Sequence, residues 1–515
     1  MMKTELLLES TAEFAAPVST LCDMFDRAVA TTPRTVALRH LGVALTYQEM
    51  GRAVAALARR LSLTLVPGEV IALVLPNSIE FQIAYFAALK ALTAPALLNP
   101  LYPAAQLAPL LRDAAPRAVL CAPATRDIVT RLAYELGIPN VVCLGRDVSV
   151  RDLVAEPTKP MSLRTATPTD LGALFFSGGT TGIPKVVEHT HGRLVFAVRS
   201  MEHIFPKRTD DEVFLPIAPF THIYGFLTGA LLPLSACGET VIPERFQPEL
   251  IVELLEQHRV TFFGGGPPAI YAGSAGNLGT ADLSALRECP AGAAPFPVEL
   301  MERWRLATGL EIREGYGMSE IAPISGPPPF SSPKPGSVGR PVPGVTVEVV
   351  DLETGLQVLP PGERGELRVR GPHMMTGYRN QPEETAQTIR DGFIYTGDIG
   401  YLDEDGFVFI TDRKKDLVFV NGFNVFPREV EEVLYTHPKV GMAGVVGAPD
   451  PRSGGERVIA FVVPRNGELI DEDEISKYCA SRLVSYKCPT EVRLVAQLPM
   501  TGAHKLDRIA LSRAV

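Results

Sequence analysis

The sequence predicts a multidomain α/β protein on three observations. At 515 residues the chain exceeds the roughly 250 to 300 residues at which single cores stop growing. From Thr46 onward, segments with helical spacing of apolar residues alternate with short apolar runs, the pattern of helices laid on parallel sheets. The pattern then changes twice, to β-like runs punctuated by glycine near Gly339 and back to α/β patterning after Asp412.

Taken in order, residues 50–63 and 79–92 read as amphipathic helices, and residues 70–75 and 118–121 as buried strands. The longest apolar stretch, residues 225–238, is too short for a membrane span of about 20 residues and reads as a core segment. Residues 325–337 (SGPPPFSSPKPGS) read as a loop. Residues 339–369, with Gly344, Gly355, Gly362 and Gly365, read as a small barrel or meander. The last stretch of about 100 residues forms a small domain, and no repeat of fixed period is present.

Composition narrows the function classes. Forty-six per cent hydrophobic and 21% charged residues exclude intrinsic disorder, and a net charge of -9 argues against nucleic acid as partner. Seven cysteines, scattered singly and odd in number, suggest neither a zinc cage nor a disulfide framework, and predict a reducing compartment. The N-terminal segment offers only Leu6, Leu7 and Leu8 as an apolar run, too short for a signal peptide. A cytoplasmic protein with no transmembrane segment is expected.

Chemistry concentrates first in residues 171–191 (LGALFFSGGTTGIPKVVEHTH). An apolar run delivers a loop of Ser177, Gly178, Gly179, Thr180, Thr181 and Gly182 that closes on Lys185. Backbone N–H groups and hydroxyls in such a loop can approach phosphate oxygens, and the lysine adds a positive charge. A Walker A loop is excluded, because Pro184 precedes the lysine and Val186 follows it where Gly and Ser or Thr are required. A flexible surface turn is the bland alternative for any such cluster.

That loop resembles the phosphate-binding motif of the adenylate-forming superfamily, which includes acyl-CoA synthetases, coumarate-CoA ligases, firefly luciferase and peptide-synthetase adenylation domains. The family's other motifs follow in order from about Thr46 to Leu511. Residues 315–320 (GYGMSE) resemble its second core motif, which implies that Tyr316 lies along adenine, Gly317 and Ser319 meet the nucleotide, and Glu320 helps hold Mg²⁺. Residues 395–398 (YTGD) resemble the ribose motif, with Asp398 as acceptor for both hydroxyls. Arg413 is similar to the second nucleotide contact, Lys415 to the hinge about which the C-terminal domain turns, and Lys505 to the adenylation lysine. His504 stands where most members have Gly, although His tolerates left-handed backbone better than most residues.

The resemblance further implies an acid pocket lined by His222, Ile223 and Tyr224, by Gly264 and Gly266, by Gly292, Ala293, Ala294 and Pro295, and by Gly315, Gly317 and Met318. Gly292, Ala293 and Ala294 would also touch the nucleotide. His222 joins Lys185, Glu320 and Lys505 as the residues expected to act in the chemistry. Ile223 stands where amino-acid-activating members carry Asp, which disfavours an amino acid and leaves a fatty or aromatic acid.

The implied fold is a large N-terminal domain of stacked α/β subdomains with a small β-barrel lobe, residues 1–412, and a mobile α+β C-terminal domain, residues 413–515. The implied reaction is ATP-dependent acyl-AMP formation followed by transfer to coenzyme A, with Asn421 and Gly422 facing the thiol channel. Coenzyme A is preferred to an acyl carrier protein because little room exists for an insertion between Glu320 and Asp398. Luciferase-like oxygenation has no supporting feature. A binding protein that has lost turnover is the alternative from another class, favoured by His504 and opposed by the full set of Lys185, Glu320, Asp398, Arg413 and Lys505.

Overall fold

The computed structural model describes residues 20–157, 165–177, 185–294, 296–420, 423–450, 455–465, 468–501 and 506–515. A six-stranded sheet runs in the order Asn140–Cys143, Ala118–Cys121, Val70–Val74, Ala94–Leu97, Leu171–Phe176 and Val186–Thr190. Its neighbours are parallel except the last two, which form an antiparallel pair. A second sheet of five strands orders Phe262–Gly264, Val213–Pro216, Glu239–Ile242, Val36–His40 and Val43–Thr46, again parallel up to a final antiparallel strand. The alternation in sequence thus delivers parallel sheets, each finished by one reversed strand.

The helix Ile79–Lys90 departs from the amphipathic reading. Every residue from Phe81 to Leu89 is buried, because the helix is covered on all sides: Phe81 meets Phe220, Tyr85 meets Phe226 and Phe86 stacks on Phe25. A helix apolar all round belongs in a core. The segment at residues 225–238 is also core, with Phe226, Leu227, Leu231 and Leu232 at most 2% exposed. The loop expected at residues 325–337 begins later, since Ser325 and Gly326 end the strand Ile321–Gly326. The Ser325 hydroxyl, fully buried, donates to the carbonyl of Val338 and ties the two flanks of the loop together.

Strands Thr346–Val350, Gly365–Arg370, Ile389–Arg390, Phe393–Leu402 and Val408–Arg413 make the antiparallel β lobe. Beyond the turn Lys414–Asp416, the hairpin Val418–Val420 and Phe423–Val425, the sheet Val440–Pro449, Glu456–Pro464 and Glu491–Leu494, and the helices Pro427–Tyr435 and Glu472–Ala480 share a separate core around Val430, Val445 and Ile475. All seven cysteines are free. Among the described residues, no helix is long and apolar enough to cross a membrane.

Candidate active site

One tight antiparallel turn and one longer antiparallel strand pair carry the motifs. Tyr316–Met318 pairs with Ile321–Gly326, which puts Ser319 and Glu320 at the tip between Met318 and Ile321. Gly317 is required there, since a Cβ would lie 2.9 Å from that of Ala322. The tip is pinned from two sides: His189 Nε2 donates to the Ser319 carbonyl at 2.7 Å, and the Met375 N–H to that of Glu320 at 2.6 Å. Burial pulls the His189 imidazole down to about 4, so the ring is a neutral donor at neutral pH.

Asp398 and Arg413 are register partners on adjacent strands of the β lobe. Arg413 Nε donates to Asp398 Oδ1 at 2.8 Å, and the Tyr316 hydroxyl, 82 residues away in sequence, donates to Oδ2 at 2.5 Å. Asp398 is 4% exposed, and its own N–H is held by the Thr396 hydroxyl. Burial, reinforced by the neighbouring Asp398 carboxylate, keeps the Tyr316 phenol far above its ordinary value, so it remains a donor.

Glu320 is also buried, and its Oε1 accepts from the Tyr378 hydroxyl at 2.6 Å. Burial raises the carboxyl, while the Tyr378 hydrogen bond and the charges of Arg413 and Lys185 pull it back. Lys185 Nζ lies 4.8 Å from the Tyr378 ring centroid and is ion-paired with Glu384. Its N–H donates to Ser177 Oγ at 3.1 Å, and the Ser177 N–H to the Lys185 carbonyl at 2.9 Å, so both flanks of the expected phosphate loop are clamped together.

The wall expected to face the acid is built from backbone approach. His222 caps the helix Ile223–Phe226, its Nδ1 accepting the Tyr224 N–H at 3.3 Å. The Tyr224 hydroxyl donates to the Pro290 carbonyl, and its ring lies between two glycines: a Cβ on Gly266 would sit 3.3 Å from it and one on Gly292 3.1 Å. The Gly292 Cβ would also meet the Gly315 carbonyl at 3.1 Å. The wall therefore joins the Tyr316 corner through Gly315. Ala293 turns through a left-handed backbone, φ 66°, with Ala294 following, and Ile223 is buried behind the wall. Gly264 lies in a strand with ordinary contacts, whereas a Cβ on the intervening Gly265 would lie 2.7 Å from the Tyr271 ring.

Lys415 is exposed in the turn Lys414–Asp416, 3.9 Å from Asp416. Gly178, Gly179, Thr180, Thr181, Gly182, Pro295, Asn421, Gly422, His504 and Lys505 lie outside the described residues. Sequence reasoning missed His189, Tyr378 and Glu384. His189 was in view in the same stretch as Lys185, but nothing local marks any of the three as reaching the site.

A separate cleft of about 490 Å³ is lined by Arg199, Arg208, Arg287, Glu202, Glu212 and Glu288 among others. None of the expected site residues lines it, and three of its arginines are ion-paired, Arg208 with Glu288, Arg287 with Glu212 and Arg199 with Glu202. Among the described residues, no cluster of three or more His, Cys, Asp or Glu could hold a metal ion by itself.

Comparison with known proteins gives the family. The model of the AMP-binding enzyme family matches residues 25–379, and that of the AMP-binding enzyme C-terminal domain matches residues 429–505. The chain is 32% identical to a long-chain-fatty-acid–CoA ligase of Bacillus subtilis, over 96% of this chain and 94% of that protein. It is 35% identical to a feruloyl-CoA synthase of Amycolatopsis, over 92% and 95%. Among solved structures, ATP-bound MatB from Rhodopseudomonas palustris superposes with a TM-score of 0.88 at 30% identity, covering 96% of this chain and 98% of that one. The chain belongs to the AMP-binding enzyme family.

Proposed function

We propose that this protein is an AMP-forming acid–CoA ligase that activates a fatty or aromatic carboxylic acid. The observation that carries the reading is the meeting of Tyr316, Asp398 and Arg413 in one polar corner, joined through Gly315 to a pocket wall made of Tyr224 and glycines. The relatives that act on a long-chain fatty acid and on ferulate support both substrate classes.

In the first half-reaction a carboxylate oxygen bonds to the α-phosphorus of ATP while the bond to the pyrophosphate oxygen breaks. Two anions meet, so cations and dipoles must be in place beforehand. Asp398 would accept both ribose hydroxyls, with Arg413 and the Tyr316 hydroxyl fixing its oxygens. Ser177, the loop amides and Lys185 would hold the β- and γ-phosphates, and Lys505 would meet the acid and the α-phosphate. His222 and Tyr224 would line the acid against Gly266 and Gly292.

A magnesium ion fits this donor set as one shared with phosphate. Mg²⁺ is commonly held by one or two carboxylates plus substrate phosphates, and Glu320 has one oxygen engaged by Tyr378. When bound, the ion would neutralise charge on the leaving pyrophosphate. In the second half-reaction the thiol sulfur of coenzyme A bonds to the acyl carbon and AMP leaves. We place the domain boundary at 412/413, with Lys415 as hinge and Asn421 and Gly422 facing the thiol.

The test is pyrophosphate release with ATP and Mg²⁺ across fatty, aromatic and amino acids, with and without coenzyme A, for the native chain and Lys505→Ala. An apolar acid should trigger release, coenzyme A should accelerate it with thioester formation, and the variant should lose on the order of 10² to 10³ in rate. Release indifferent to coenzyme A would shift the acceptor to an acyl carrier protein. Failure of every acid, together with ATP binding, would favour the non-catalytic reading.

A further inference from the structure

We infer that Glu384 is a counter-ligand of Lys185, a positioning residue that competes with the β- and γ-phosphates for the ammonium and so sets affinity for ATP and pyrophosphate. The inference rests on the reading of Lys185 as a phosphate ligand. Among the described residues, the lysine's ammonium has an ion pair with Glu384, 199 residues on in sequence, and the Tyr378 ring 4.8 Å from Nζ.

Glu384 is built into place. It sits on the helix Pro382–Thr388, whose Thr385 hydroxyl accepts the Tyr378 N–H at 2.9 Å and donates to the Gln381 carbonyl. Gly377 lets that helix approach, since a Cβ there would lie 3.1 Å from Thr385 Cγ2. Tyr378 in turn donates to Glu320. Residues 377–385 therefore carry both the carboxylate on the phosphate lysine and the donor on the carboxylate expected to meet Mg²⁺.

One ammonium carries one charge. A polyphosphate must either displace the Glu384 carboxylate or accept it as a like-charged neighbour, and both weaken binding. AMP, which lacks the β- and γ-phosphates, escapes the competition. The consequence is a looser hold on pyrophosphate once the α-phosphorus bond is broken, which favours its departure. Glu384 is about half exposed, so the competition is a modest one, worth about two- to fivefold in affinity.

The experiment is calorimetric titration of the full chain with MgATP, pyrophosphate and AMP, without acid, for the native protein, Glu384→Gln, Glu384→Asp, Lys185→Ala and the Lys185→Ala/Glu384→Gln pair. Glu384→Gln should bind MgATP and pyrophosphate about two- to fivefold more tightly and AMP unchanged. Glu384→Asp, which keeps the carboxylate, should return toward native affinity, and the gain should vanish in the Lys185→Ala background. Unchanged or weaker MgATP binding by Glu384→Gln, with Lys185→Ala clearly weakened, would overturn the inference and leave the phosphate reading standing. Native affinity in Lys185→Ala would overturn the phosphate reading itself.

Discussion

Asp398 and Glu314 are both 4% exposed and both close in sequence or space to Tyr316, yet the fold treats them in opposite ways. Asp398 is met by a guanidinium on one oxygen and a phenol on the other. Glu314 has an Oε2 that finds no hydrogen-bond partner among the described residues. Burial pushes its carboxyl up to about 8, with Arg428 pulling it down and Glu432 pushing it up. Depth alone does not decide what a buried acid does; the donors brought to it do. The acid with a donor on each oxygen sits in the Tyr316 corner, and the one with a single backbone donor, Phe296, and an unsatisfied Oε2 sits where the strand Ile312–Glu314 faces the charges of the helix Pro427–Tyr435.

The largest effect that can break this contrast is at Asp398. Asp398→Ala removes the proposed acceptor for the ribose and leaves Arg413 and the Tyr316 hydroxyl without this partner, so pyrophosphate release should fall on the order of 10² to 10³. An unimpaired variant would mean that the corner is structural only. Tyr316→Phe keeps the ring proposed to lie along adenine and removes one charge-assisted hydrogen bond, so kcat/KM for ATP should fall about tenfold. A loss as large as that at Asp398 would show that the hydroxyl itself meets substrate.

What was legible in the sequence follows the same division. Tyr316, Asp398 and Arg413 stand in motifs whose spacing survives, and the structure brings these three together. Lys185 and Glu320 were equally visible, but their partners were not. Tyr378 reaches Glu320 across 58 residues, His189 reaches Ser319 across 130 and Glu384 reaches Lys185 across 199, and no local pattern encodes such contacts. The same limit explains the helix Ile79–Lys90, read as amphipathic in sequence but covered by Phe220, Phe226 and Phe25 from distant segments. Glu314 adjoins a recognised motif, but its burial depends on a helix more than a hundred residues away.

Glu314 offers the smallest effect and the sharpest test of the comparison. Its folded-state pKa is raised, from 4.5 to about 8, so its contribution to stability is fully present below 4.5 and is lost as pH rises through about 8. Between pH 7 and pH 9 the unfolded carboxyl is ionised throughout, while the folded one must give up its proton inside the protein. The native chain should therefore lose about 1 kcal/mol of stability over that interval from this group. Glu314→Gln, which keeps the shape and cannot ionise, should flatten that part of the pH dependence of Tm and leave turnover at pH 7 within about twofold. Asp398→Asn should leave the slope intact while damaging turnover. Equal slopes in the native chain and Glu314→Gln would mean that Oε2 also finds a donor, and the contrast between the two carboxyls would fail.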